Sequence, residues 1–213
     1  TATINTSRGV LREIGIFIPV GARSVVPAVF ALIEDPDSSI PPALKPVLDD
    51  TCSAIRQLET RICTTEKQLS ALAKGNDIVK LLQTIPGVGL ICSTALVAFV
   101  GDITRFPTGR HFASYLGLTP RERSSGLARR LGRISKRGDC YIRMLLIHGA
   151  RSALLAAKRR KDPDTLQTWA IELERCRGHN KAATALANKI ARIAWAVWKN
   201  GRRFESKPVE VDN

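Results

Sequence analysis

Leu48, Ile55, Ile62 and Leu69 recur every seven residues, interleaved with Leu44, Leu58 and Leu72, and Thr51 and Thr65 fall in the same register. A period of seven lays one apolar stripe along an α-helix and cannot be laid on a strand, whose side chains alternate with period two. The spacing therefore predicts a helix from Leu44 to Leu72, ended by Gly75 and Asn76. Such a seam serves either as the buried face of an amphipathic helix in its own domain or as one member of a coiled coil, and the residues leave both open.

Helical spacing dominates the rest of the chain. Before the seam, residues 4 to 13 read as a short helix, Ile14 to Ile18 as a strand-like apolar run, and Asp35 to Pro42 as a loop rich in Pro and Ser. After it, Ile78–Ile85, Leu90–Val100 and His111–Leu116 read as helices, Gly117–Lys136 as an extended loop without periodicity, and Tyr141–Lys161 as a helix stopped by Asp162-Pro163. Thr165–Arg175 and the Ala-rich Lys181–Lys199 complete the set. The predicted fold class is mainly α: a coiled-coil helical arm plus a compact helical domain with a helix-hairpin-helix. The expected divisions are residues 1–43, the coiled-coil helix 44–76, a helical domain 77–204 and a flexible tail 205–213. Trp195 and Trp198 are expected in the core, with base stacking as the weaker alternative, and His148 as an interior histidine on the apolar face of its helix rather than a general base.

Charge narrows the partners. The 33 Lys and Arg against 19 Asp and Glu leave +14, which favours a polyanion, nucleic acid first. An anionic membrane is the competing polyanion, but no apolar run reaches the roughly 18 to 20 residues needed to span a bilayer and no secretory signal opens the chain, so no membrane partner is expected. Cys52, Cys63, Cys92, Cys140 and Cys176 form no CxxC pair and stand at no ligand spacing to His111, His148 or His179, so no metal site is expected in this chain. An odd cysteine count suits reduced thiols in a cytoplasmic protein. The chain begins at Thr1, without a methionine, and further sequence is expected upstream.

Two stretches carry the chemistry. Ile85-Pro-Gly-Val-Gly89 joins two apolar helices and resembles the turn of a helix-hairpin-helix, a DNA-binding element. Glycines there permit positive φ and close approach of a phosphate to the backbone, and the following helix start offers unpaired N–H groups, so Gly87, Val88 and Gly89 are candidate phosphate contacts. A tight helix-helix turn without a ligand is the plainer alternative. Between Thr119 and Lys161 stand 13 Lys and Arg against Glu122 and Asp139. Arg121, Arg123, Arg129, Arg130, Arg133, Lys136, Arg137 and Arg143 are the candidate nucleic-acid contacts, arginine being suited to bidentate phosphate recognition. Ser124 and Ser125 lie among these cations, which could stabilise an alkoxide and a developing phosphorane, but two serines beside a glycine are also what any flexible loop holds.

Four blocks in order, PGVG, GDITRFPTGRHFASYLGLTPRERSSG, RRLGRISKRGDCYIRMLLIHGAR and NKAATALANKIARIAWAVW, resemble the C-terminal transposase domain of the IS-one-ten family, the bridge-RNA-guided DEDD-type insertion-sequence transposases. The resemblance covers about residues 80 to 200. It implies that Ser125, directly before Gly126, is the nucleophile that forms a phosphoserine link to DNA, with Ser124 as the alternative. It also implies that residues 1–43 are the end of an N-terminal RuvC-like domain and linker, and that Leu44–Leu72 is the family's coiled coil, making a homo-oligomer. The family's four acidic metal ligands would lie upstream. Asp35, Asp49, Asp102 and Asp139 are not placed on strands and are not assigned as ligands, so divalent metal (Mg) is expected only in that N-terminal domain. The implied activity is site-specific DNA strand cleavage and exchange in the bacterial cytoplasm at the nucleoid, with DNA and bridge RNA as partners. The rivals are a non-catalytic DNA- or RNA-binding module and a structural coiled-coil scaffold.

Overall fold

A computed structural model describes residues 1–125, 128 and 130–206. Nine α-helices and one two-stranded sheet make up its regular structure, so among the described residues the protein is mainly α. The chain divides into two compact units, Thr1–Leu69 and the part from Ser70 onward.

The first unit holds α1 (Ala2–Glu13), α2 (Ala22–Glu34), a 3-10 turn at Pro42–Leu44 and most of α3 (Lys45–Lys74). Its core is Leu11, Val25, Val29, Ile40, Leu48 and Cys52. The expected strand at Ile14–Ile18 is not formed. Gly15, at φ +78°, ends α1: its N–H donates to Arg12 O at 3.0 Å and that of Ile16 to Leu11 O at 2.9 Å. This is the paired capping that a left-handed glycine gives a helix end, and it folds Ile16 back onto the core instead of extending it. The Arg8 guanidinium then ties the segment down, donating to Pro19 O at 2.7 Å and Gly21 O at 2.8 Å.

The heptad seam behaves differently along α3. Leu48 and Ile55 are buried, whereas Leu58, Ile62 and Leu72 are exposed, Ile62 by 58%.

The second unit runs α4 (Asp77–Leu82), α5 (Leu90–Val100), a 3-10 turn at Ile103–Arg105, α6 (Gly109–Tyr115), β1 (Pro120–Glu122), β2 (Leu131–Ile134), α7 (Cys140–Ala157), α8 (Thr165–Arg177) and α9 (His179–Asn200). Side chains cap most of the starts. Asn76 accepts from the N–H of Ile78 and Val79, Asp139 from Ile142, and Asp164 forms a reciprocal box with Gln167. α9 is the hub, packed against α4, α6, α7 and α8. Its buried face is largely alanine, Ala182, Ala183, Ala187, Ala191 and Ala194 with Leu186 and Ile190, which lets neighbouring helices approach closely. Trp198 is buried, and the half-buried Trp195 donates its indole N–H to Phe106 O at 2.9 Å.

The structure departs from three further expectations. The stretch 117–136 contains β1 and β2, an antiparallel pair with Pro120 opposite Ile134 and Glu122 opposite Leu131. All of β1 and most of β2 is solvent-exposed, so no side-chain alternation marks the strands in the sequence. α7 stops at Ala157, before Lys161, as the N–H groups of Arg159 and Arg160 turn to carbonyls three residues back. Four adjacent cations, Lys158 to Lys161, oppose further helix. His148 is exposed: the buried line of α7 is Ile142, Leu146, Ala150 and Leu154, spaced by four, and position 148 falls off it.

Candidate nucleic-acid interface

Asn76 starts α4, and the chain leaves it through Ile85-Pro86-Gly87-Val88-Gly89 into α5. Gly87 has φ +86° and lies against α7: a Cβ added to it would come 2.5 Å from Gly149 O. The need for glycine at 87 is therefore explained by helix packing. Val88 is buried, and its N–H already donates to Ile85 O at 3.0 Å. Gly89 is different. It is exposed, caps α5 without a side-chain hydrogen bond, and has open space where a Cβ would stand. Of the three turn residues, Gly89 and the helix start behind it retain the geometry that an anion needs.

The arginine-rich segment is held at both ends by glycines. Gly117, at φ +69°, has Arg137 N 2.8 Å from the place of a Cβ, and at Gly138 a Cβ would strike the carbonyls of Tyr115 and Leu116. Between them the hairpin is pinned by Ser135 N–H to Thr119 O at 2.8 Å and Lys136 N–H to Gly117 O at 3.1 Å. Lys136 itself adopts φ +56°, a left-handed conformation unusual for a side-chain-bearing residue. Arg123 N–H donates to Arg130 O at 2.9 Å, and Ser125 and Ala128 bridge each other through their backbones.

The two serines differ. Ser124 Oγ donates to Glu122 Oε1 at 2.7 Å and accepts from Arg130 N–H at 3.0 Å, so its hydroxyl fastens the hairpin tip. Ser125 is exposed and its hydroxyl makes no hydrogen bond with a described residue. Arg121, Arg123, Arg130, Arg133, Lys136 and Arg137 are exposed along the hairpin, Arg123 and Arg130 nearest the serines in the backbone pairing and Lys136 and Arg137 at its base beside Gly117. Arg121 also donates across the hairpin to Ser135 O at 3.2 Å. Arg143 is turned inward, donating to Leu116 O at 3.2 Å and Gly138 O at 2.9 Å. Gly126 and Arg129 lie outside the described residues, as do residues 207–213 of the expected tail. The hairpin thus carries an exposed serine and exposed arginines on both of its sides.

Sequence reasoning missed a cleft of about 1010 Å³ in this unit, lined by β2, α7, α8 and α9. Arg151, Trp169, Lys181, Lys189 and Arg192 line it, and none was singled out as a contact. A signal existed: Lys181, Asn188, Lys189 and Arg192 recur at helical spacing along one side of α9. Among the described residues no three His, Cys, Asp or Glu side chains cluster to hold a metal, and no helix is long and apolar enough to cross a membrane. Asp102 and Asp139 accept from backbone N–H groups at the starts of the 3-10 turn and of α7, and Asp49 lies within α3.

Residues 79–167 match the family model described as Transposase IS116/IS110/IS902 family. The chain is 38% identical over 198 residues to a probable family 20 transposase of Pseudomonas aeruginosa, covering 92% of this chain and 58% of that protein. It is 38% identical over 197 residues to the transposase for insertion sequence element IS1111A of Coxiella burnetii, covering 92% and 54%. With the transposase for insertion sequence element IS1328 of Yersinia enterocolitica it shares 33% over 201 residues, covering 94% and 58%. The chain thus spans a little over half the length of these relatives.

Proposed function

Taking the chain as a member of the IS116/IS110/IS902 transposase family, we propose that it supplies the serine-bearing half of a transposase that cuts and exchanges DNA strands at specific sites. The observation that carries this reading is the hairpin tip: Ser125 is exposed and its hydroxyl bonds to no described residue, in a segment rich in arginine, while Ser124 is committed to Glu122 and Arg130. In the reaction the Ser125 Oγ–phosphorus bond forms as the bond from phosphorus to a deoxyribose oxygen breaks, and the serine proton ends on that oxygen. Arg121, Arg123, Arg130 and Arg133 orient the phosphate and balance the charge gathered on its oxygens in the transition state. Arg129 belongs to the same set by its place in the sequence.

The Gly89 start of α5 gives a second, sequence-independent phosphate contact, of the helix-hairpin-helix kind. Exposed Leu58 and Ile62 on α3 join protomers into a homo-oligomer through a coiled coil, burying apolar surface that one chain leaves in water. A bridge RNA directs target choice by base pairing, and the work takes place at the bacterial nucleoid. Divalent metal belongs to the companion RuvC-like domain, and no step of this chain's residues runs through it.

The test is cleavage of a nicked duplex carrying the insertion-sequence end, resolved on a denaturing gel. Ser125→Ala abolishes cleavage, while Ser124→Ala retains it at a reduced rate. The opposite ranking would transfer the nucleophile to Ser124, whose hydrogen bond to Glu122 is the observation in its favour. Cleavage that survives both substitutions would remove both serines from the chemistry, and binding without cleavage by the unaltered protein would leave a non-catalytic binding module.

A further inference from the structure

The cleft behind the hairpin has the composition of a ligand site. Arg133, Lys136, Arg151, Lys181, Lys189 and Arg192 line it, and among the described residues no acidic side chain does. Its remaining wall is apolar, with Leu118, Ile134 and Ile147, and aromatic at Trp169. At about 1010 Å³ it lies at the upper end of the roughly 300 to 1,000 Å³ usual for sites that enclose a small ligand.

Two of the cations have no carboxylate partner among the described residues. Lys189 Nζ stands 3.8 Å from the centre of the Trp169 ring. Burial, and then the nearby Arg192 cation, hold its ammonium below the usual lysine range, and among the described residues no carboxylate pairs with it. Arg151 donates through Nη2 to Asn180 Oδ1 at 3.0 Å, but its Nε is buried without a hydrogen-bond partner among the described residues. A phosphate placed here would relieve the Lys189–Arg192 repulsion.

The cleft is continuous with the hairpin, since Leu131, Gly132, Arg133 and Ile134 of β2 form part of its wall and the same hairpin carries Ser125 at its tip. We propose that this cleft seats unpaired DNA, with a base against Trp169 and the apolar wall and the flanking phosphates on Lys181, Lys189 and Arg192. A duplex keeps its bases inside and has no use for an apolar, aromatic recess; a single strand offers both a π-face and phosphates. Cleavage and exchange at Ser125 produce such strands, so the inference rests on the DNA-transposase reading and names where the released strand goes.

The experiment measures binding of the full chain to fluorescent oligo(dT) of about 12 nucleotides, within the site sizes usual for single-strand binders, by anisotropy. A duplex and an oligo(U) of the same length are the comparisons. Trp169→Leu weakens oligo(dT) binding roughly tenfold and Lys189→Gln about threefold, while duplex affinity changes less than about twofold. If Trp169→Leu melts early, Lys189→Gln and the exposed Lys181→Gln decide the matter. Variants that bind oligo(dT) like the unaltered chain, or that lose duplex and single strand equally, overturn the assignment. So does tighter binding of oligo(U) than of oligo(dT), which makes the occupant RNA. An unaltered chain that binds no form of DNA fails the DNA reading itself; one that binds DNA indifferently to Trp169 and Lys189 fails the cleft alone.

Discussion

Gly149→Ala is a sharp test of how the proline-glycine turn is held. Gly149 lies within α7, where glycine to alanine ordinarily stabilises a helix by about 1 kcal/mol. Here a methyl group would strike Gly87 O, and the reciprocal addition at Gly87 would come 2.5 Å from Gly149 O. Both neighbours are backbone, so neither can turn aside as a side chain would. Relief requires the turn and α7 to part by roughly 1 Å, loosening contacts that depend steeply on distance. Overpacking of this kind costs about 1 to 3 kcal/mol, and backbone against backbone belongs at the upper end. Subtracting the helix gain leaves a net loss near 2 kcal/mol, or about 6 to 8 °C in the melting temperature of a unit of this size. Gly89→Ala is the control: nothing lies within 4 Å of its Cβ and its φ is −87°, so it loses less than about 1 kcal/mol, through the poorer cap. Thermal melts followed by circular dichroism compare the two. A Gly149→Ala protein that melts higher than the parent, or a Gly89→Ala protein that loses as much, would refute the packing account.

Other consequences can be measured alongside. Burial pushes the Cys92 thiol up to about 12 and raises that of Cys52, so at about pH 8 a thiol reagent titrates Cys63, Cys140 and Cys176 quickly and the other two only on unfolding. The Lys158 ammonium 2.7 Å from Glu174, and after it His179, hold the Glu174 carboxyl below its usual value of 4.5. A depressed acid contributes stability above its unfolded pKa and loses it as pH falls through the folded one, so Glu174→Gln flattens the acid limb of a pH–stability curve, by less than about 1 kcal/mol. Arg123→Ala or Arg133→Ala each reduces the salt slope of duplex binding by about 1. Arg143→Ala leaves that slope unchanged and lowers the melting temperature, because its guanidinium holds the carbonyls of Leu116 and Gly138.

Much of this architecture is written in helical period and end signals. Leu90–Val100 was legible to the residue because Gly89 and Gly101 bracket an unbroken apolar run. The long closing helix was legible from its alanines, and its start lay two residues earlier than read, at His179, because Gly178 at φ +83° serves as the break for both α8 and α9. The hairpin was not legible. Its strands bury almost nothing and are defined by backbone pairing, which leaves no side-chain pattern. Gly15 hid the fate of Ile14–Ile18, since an apolar run reads the same whether it extends or folds back. His148 was misplaced because hydrophobic neighbours at 145 to 147 mask a buried line that steps by four. For the site, the cationic segment and its serines could be read directly from composition, but that Ser124 is engaged by Glu122 could not, because it depends on how the hairpin turns. The cleft required α7, α8, α9 and the hairpin to be brought together, and residues as distant as Arg133 and Arg192 share no local signature.

The central claim is that Ser125 is the group that DNA becomes attached to. The direct measurement joins this chain to the remaining portion of a relative such as the IS1111A transposase, presents guide RNA and a suicide DNA substrate, and isolates any protein–DNA adduct on a denaturing gel for peptide mapping by mass spectrometry. The account predicts one adduct, on the peptide containing Ser125 and at that residue, absent in Ser125→Ala and present in Ser124→Ala. An adduct mapped to another residue, or cleavage that proceeds at full rate in Ser125→Ala, would contradict it.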